Sequence, residues 1–347
     1  MHTNIKLWLV VSILIPALSG CGPLRQVTPP LATPIVTSTA TPLPAMVNVN
    51  TSLPTPTLIP TSTLEPTPTT NVVFDPDTNA YRIRFAPYGT WVETSASISA
   101  NTSKRYILSA MQGQIMSVSI PQGPAFSVNV AGADKKPLSD SRYPNPFWRG
   151  ALPSTQDYIV SVDSQVSGPF SLRIAINPPG QATQNFGFVD PQYAVALGYT
   201  DEFAPTTVQV PAASTKGAPL VTLAFINPTF YSPTTNLSEA TLLLTASTDP
   251  AIVSTCTQPS TQVAETVTGQ ETVNSYTFTR SEFNGVAAGN SYDQISYRTV
   301  TENKCFEVIF LIHSANIANE PAGTTVEFNR DELLKKFAAV LATFTAK

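Results

Sequence analysis

Histidine is almost missing from these 347 residues: there are two, His2 and His313. A catalytic histidine needs a nucleophile and an orienting acid around it, and zinc sites group cysteine with histidine. Cysteine is also scarce, at three, with none spaced as CxxC. Charge is thin, with 12% Asp, Glu, Lys and Arg and a net charge of −4, against about 25% charged residues in ordinary soluble proteins. No basic run exists to track phosphates, which argues against a nucleic-acid partner. GxSxG, HExxH, Walker and dinucleotide motifs are missing too. The sequence therefore assigns no catalytic residue, metal ligand or cofactor. A glycosidase needs only two placed carboxylates, so an enzyme stays open. The apolar run Leu7–Leu18 has 12 residues, short of the roughly 20 that span a bilayer.

What is present begins with that run. It follows Lys6 and ends in Leu18-Ser19-Gly20-Cys21, the parts of a secretory signal. The tetrapeptide resembles the lipobox of bacterial lipoproteins, which implies cleavage after residue 20 and acylation of Cys21. An ordinary signal with a stray cysteine, or an uncleaved anchor, is the alternative. With Cys21 acylated, Cys256 and Cys305 remain as an even pair in an oxidising compartment, so a disulfide is expected. Residues 21–70 follow as a stalk. Positions 22–70 hold 11 Pro and 13 Thr, with Arg25 and Glu65 the only charges. Such a segment cannot bury enough apolar surface to order itself, and its proline favours an extended spacer.

The rest has the length of two domains, placed at 71–179 and 180–347. In the first, Tyr81-Arg82-Ile83-Arg84-Phe85 alternates as a half-buried strand does. Strand-like runs recur at 105–110, 115–120, 126–130, 158–162 and 170–176, so an antiparallel β-sandwich is expected. Tyr106, Ala110 to Gln114 leading into Met116-Ser117-Val118, Gly132-Ala133-Asp134, and Leu152 to Val160 resemble the pre-peptidase C-terminal family of β-sandwiches. That likeness implies a non-catalytic appendage. The chain departs from the family at Lys104-Arg105, where an acidic residue is common.

The second domain reads as an antiparallel sheet closed by a helix, an α+β fold. Strands are expected at 194–198, 220–225, 240–246, 275–279, 292–299 and 305–313, the last two as a hairpin. Asn329 and Glu332 have capping-box spacing, Phe328 and Leu333 that of a hydrophobic staple. Leu333, Leu334, Phe337, Leu341 and Phe344 make the apolar stripe. Ala288 to Tyr292, Ile295 to Thr299, Lys304 to Glu307 and Ile312 to Ile317 resemble an uncharacterised domain of bacterial lipoproteins, and the layout is similar to the PsbP/Mog1-like fold.

Few residues invite chemistry. Ser314 follows His313, but strand neighbours face opposite ways, so a hydrogen-bonded structural histidine is the simpler reading. Asp75, Asp77 and Asn79 start like a calcium loop, yet Ala80 and Ala86 stand where glycine and glutamate are required. Tyr143, Phe147 and Trp148 form an aromatic loop suited to binding, against the alternative that Trp148 and Leu152 plug the sandwich; Trp91 reads as core. Asn290, Tyr292 and Arg298 are the candidate binding residues of the second domain. The reading is a non-catalytic, lipid-anchored lipoprotein on the extracytoplasmic side, binding an envelope protein or glycan. The rivals are a carboxylate-dependent envelope hydrolase and an accessory lipoprotein of a secretion, transport or redox complex.

Overall fold

The computed structural model describes residues 71–139, 145–207, 212, 215–226, 235–320 and 323–347. The signal segment, Cys21, the stalk and Tyr143 lie outside the described residues. The described residues belong to one compact, strand-rich unit with two hydrophobic cores. No helix among them is long and apolar enough to cross a membrane.

The first core is a sandwich of β1 (Asn71–Asp75), β2 (Ala80–Arg84), β3 (Trp91–Ile98), β4 (Thr102–Ala110), β5 (Ile115–Ser119), β6 (Phe126–Gly132), β7 (Phe147–Ala151), β8 (Gln156–Ser164) and β9 (Gly168–Ile176). Its sheets run β1-β2-β4-β8-β6 and β3-β9-β5-β7. Every second side chain of β8 and most of β9 turns inward, since a strand repeats every two residues. One pair departs from the expected antiparallel pattern: β2 runs parallel to β4. The intervening β3 lies in the opposite sheet, so the chain returns to the first sheet in its original direction. Asp75 closes the β1–β2 turn by accepting from the Asp77 N–H (3.1 Å).

Trp148 and Leu152 plug the sandwich, which corrects the reading of Trp148 as part of an exposed binding loop. Trp148 is 3% exposed because its position on β7 points between the sheets. Its Nε1 donates to the Leu138 carbonyl (3.3 Å). Gly150 leaves room for the ring, for a Cβ there would lie 2.7 Å from the indole. Phe147 is half-buried, so no exposed aromatic platform forms from these two residues.

The second core is built on β10 (Asn185–Asp190), β11 (Val195–Thr200), β12 (Phe203–Thr206), β13 (Ala218–Phe225), β14 (Leu237–Ser247), α1 (Pro250–Ser254), β15 (Thr266–Val273), β16 (Tyr276–Ala287), β17 (Asn290–Thr301), β18 (Lys304–Ala315), α2 (Arg330–Leu341) and β19 (Thr345–Ala346). A seven-stranded sheet, β12-β13-β14-β18-β17-β16-β15, stands beside a small one, β10-β11-β19. On one face of the large sheet Phe306, Val308, Phe310 and Ile312 meet Leu333, Phe337, Leu341 and Phe344. Phe310 stacks on Phe337 with ring centres 4.8 Å apart. The Asn329 side chain accepts from the Glu332 N–H (3.1 Å) and so satisfies one orphan donor of α2. The Glu332 carboxylate turns instead to Lys335 (2.8 Å). The expected bridge joins Cys256 and Cys305.

The two cores meet through a polar and aromatic seam. Arg149 pairs with the buried Asp201 (3.1 Å). Arg173 lies over Trp91 and Phe186 and donates to the Tyr199 hydroxyl (3.0 Å). Trp91, read as core, is half-buried in this seam.

Candidate functional site

The face of the large sheet turned away from α2 is ordered as cross-strand rows. In register, β14, β18, β17 and β16 contribute Thr245, Glu307, Arg298 and Thr279 to one row; Leu243, Ile309, Ser296 and Ser281 to the next; Thr241, Leu311, Gln294 and Phe283 to a third; and Glu239, His313, Tyr292 and Gly285 to the last. Opposite residues of an antiparallel pair lie about 5 Å apart, so each row is a line of contacts.

One end of this face is closed. The disulfide fastens the segment after α1 to the start of β18. Glu265 and the Gln258 carbonyl of that segment reach down onto Arg298. Arg298 donates to Glu265 (2.7 Å), Glu307 (2.6 Å) and the Ser281 hydroxyl (2.9 Å). It is fully buried, which corrects its reading as a binding residue: its hydrogen bonds go to these internal partners. Burial pushes Glu307 above the usual carboxylate range, beyond what Arg298 and the Lys216 N–H recover. Burial also raises Glu265, but the bonds from Arg298, the Ser260 N–H and Ser281 outweigh it and hold that carboxyl low.

The other end is open. A groove of about 400 Å³ lies along the last two rows, with Phe283, Leu311, Ala287 and Val286 as its apolar lining. Three local features shape it. The β14–β18 register shifts between Leu237 and Glu239; such a bulge re-aims the side chains beside it, and Glu239 lands opposite His313. Next, Tyr292 stacks on His313, ring centres 4.5 Å apart and planes 10° from parallel. Finally, Gly285 puts no side chain opposite Tyr292, and the Phe283 ring leans over it, 3.0 Å from where a Cβ would stand.

Tyr292 is 41% exposed and Val286, at the rim, 85%. His313 Nε2 is buried without a hydrogen-bond partner. The charged lining groups among the described residues are Glu239 and Asp293. Asp293 is engaged by Arg330 (3.2 Å). Among the described residues Glu239 accepts only a long bond from the Thr241 hydroxyl (3.4 Å). Among the described residues the site thus offers apolar surface, one stacked aromatic pair, one carboxylate without a cation and one imidazole nitrogen without a partner. No group of three or more His, Cys, Asp or Glu suited to a metal ion occurs among the described residues.

Of the residues read from the sequence, Tyr292 lines the groove. Asn290 does not: its Nδ2 donates to the Ala288 carbonyl (3.2 Å) within the hairpin turn, where Ala288 and Gly289 take positive φ. Glu239, Phe283, Gly285 and Leu311 were missed. A glycine inside an otherwise regular strand was the available signal, since it often marks a close approach.

No family model and no curated protein matches the chain. Among solved structures it is similar to PliG of Aeromonas hydrophila, a periplasmic inhibitor of g-type lysozyme, at 24% identity over 28% of this chain and 94% of that one, with a TM-score of 0.24. Salmonella Typhimurium PliG gives 20% identity, 28% and 96% coverage and 0.23. A Bacteroides thetaiotaomicron structure gives 14%, 46% and 48%, and 0.27. The likeness is too slight to carry an argument about the groove.

Proposed function

We propose that the chain is a lipid-anchored, extracytoplasmic binding module that holds an envelope protein or glycan in the groove beside Tyr292 and does not turn it over. The carrying observation is the open row Glu239–His313–Tyr292–Gly285 with apolar side chains left in water beside it. Large exposed apolar groups gathered around a concavity mark binding surfaces. The Leu18–Cys21 tetrapeptide and the proline-rich stretch after it support presentation from a membrane.

The test is binding of the mature chain to peptidoglycan, envelope polysaccharides and secreted proteins. Tyr292→Ala removes the stack, and Ala287→Trp fills the groove from its exposed rim. Both are expected to abolish binding while leaving the melting temperature within about 2 °C of wild type, as surface changes do. Binding unaltered by both would remove the groove from consideration. A second reading, carboxylate-dependent hydrolysis, is favoured by Glu239 and Asp293 lining one concavity. Turnover of a glycan or peptide that Glu239→Gln or His313→Ala abolishes would establish it instead. Co-purification of an intact envelope complex would favour an accessory role in secretion, transport or redox work.

A further inference from the structure

One end of the sandwich carries a feature the groove does not use. The chain enters the described fold at Asn71, paired with Arg84 at the end of β2. Directly after β2, Ala86-Pro87-Tyr88-Gly89 turns back, with the Gly89 N–H donating to the Ala86 carbonyl (2.8 Å). Pro87 at the second position and Tyr88 at φ 65° make this a type II turn, whose third position normally takes glycine or asparagine. A tyrosine there crowds its Cβ against the backbone. It gains no packing in exchange, because the side chain is 102% exposed. Exposed Met111 stands on the neighbouring turn. With Phe85, Pro178 and Pro179 these residues wall a shallow cleft of about 720 Å³, and none of the described residues lining it is charged. A strained backbone holding an aromatic ring in water points to a role outside folding.

We propose that Tyr88 and Met111 form a tip that dips into the headgroup region of the membrane to which Cys21 attaches the chain; this rests on the lipid-anchor reading. Three observations favour lipid as the occupant. The tip sits at the end of the sandwich where the chain arrives from Cys21, so the tether begins beside it. A tyrosine, with an apolar ring and a polar hydroxyl, suits the boundary between headgroups and acyl chains, and methionine needs no hydrogen-bond partner there. The cleft has no carboxylate to be repelled by anionic lipid, while exposed Arg84 beside it is attracted. One ring makes a weak contact in solution, but anchoring turns it into an intramolecular one, with an effective concentration set by the length and bending of the stalk.

The test uses the mature chain from position 21, with Cys21→Ser and an N-terminal histidine tag. It is held on phosphatidylglycerol/phosphatidylethanolamine vesicles by a nickel-chelating lipid. The contact is then probed whether or not cells acylate Cys21, and the anchor reading stands or falls separately by fractionation. With Cys256 and Cys305 bridged, Tyr88→Cys, Met111→Cys or the exposed control Val189→Cys supplies the only free thiol for an environment-sensitive dye. Probes at 88 and 111 are expected to shift to the blue and to be quenched by brominated lipid about twofold or more beyond the probe at 189. Adding Tyr88→Gly should halve quenching at 111 without lowering the melting temperature, since glycine relaxes the turn. Equal quenching at all three positions overturns the proposal. So does shielding of position 88 by peptidoglycan fragments but not by vesicles, which would make the cleft a glycan site.

Discussion

Arg298→Met is the sharpest test of how the closed end of the sheet is held. The substitution roughly keeps the volume of a fully buried side chain while removing donors to Glu265, Glu307, Ser281 and the Gln258 carbonyl. Both carboxylates are themselves shielded from water, so neither can be rehydrated without moving the segment that carries Glu265. Removing one partner of a buried pair costs about 3–5 kcal/mol, mostly the penalty of the stranded charge. At roughly 2–4 °C per kcal/mol for a domain of this size, the melting temperature of the second core should fall by about 6–20 °C. Urea unfolding followed by circular dichroism reads the loss. The same reasoning requires a rescue: Arg298→Met with Glu265→Gln and Glu307→Gln strands no charge and should recover more than half of it. A single variant within about 1 kcal/mol of wild type, or a triple variant no better than the single, would refute the account.

Three further outcomes follow from the same chemistry. Reducing Cys256–Cys305 frees a 49-residue span and should destabilise the second core by up to about 4 kcal/mol on chain-entropy grounds, with little effect on the sandwich; non-reducing peptide mapping that finds two free thiols removes the premise. Cys21→Ala should release the protein from membranes or block its maturation, and a mature, membrane-bound product in detergent partitioning would count against acylation. For pH, the raised Glu307 takes up a proton first, so stability should hold or rise as pH falls from 7 toward 5. Glu265, held below its ordinary 4.5, contributes stability that is lost as pH falls below that value. Glu307→Gln should remove the rise and keep the acid loss, as denaturation at pH 7, 5.5 and 3.5 would show.

Strands with a clean period of two were legible: the runs at 158–162 and 170–176 fall inside β8 and β9. So was the disulfide, because counting cysteines needs no geometry. Arg298 was misread because Gln294, Ser296 and Arg298 alternate with apolar residues as a wet strand face does. What keeps water off Arg298 includes Glu265 and Gln258, 33 and 40 residues away in sequence. The pairing of Cys256 with Cys305 held the clue. Cys305 and Glu307 share a face of β18, so whatever follows Cys256 must pass over Glu307 and its neighbour Arg298. Trp148 stood between two readings, loop platform and sandwich plug, because the prolines before it look like a loop and the room that Gly150 leaves for its ring appears only in three dimensions.

The groove follows from the same asymmetry. One face of the large sheet is spent on α2, and on the other the disulfide-tied segment covers the rows nearest Cys305. That segment meets Arg298 at Glu265 and Gln258 and leaves the row Glu239–His313–Tyr292–Gly285 bordering the groove. At the closed end Arg298, Glu265, Glu307 and Ser281 are matched to one another, although Thr245 Oγ1 in the same row is buried without a partner, and removing Arg298 should destabilise the second core. At the open end His313 Nε2 has no partner and Glu239 no cation among the described residues, so these two side chains add no polar tie between strands. Stability and binding should therefore separate by row: variants of Arg298, Glu265 or Glu307 change the melting temperature, whereas variants of Tyr292, Ala287 or Glu239 change occupancy. If Tyr292→Ala instead lowered stability as much as Arg298→Met, the stacked pair would be a structural brace, and the groove would lose its standing as a ligand site.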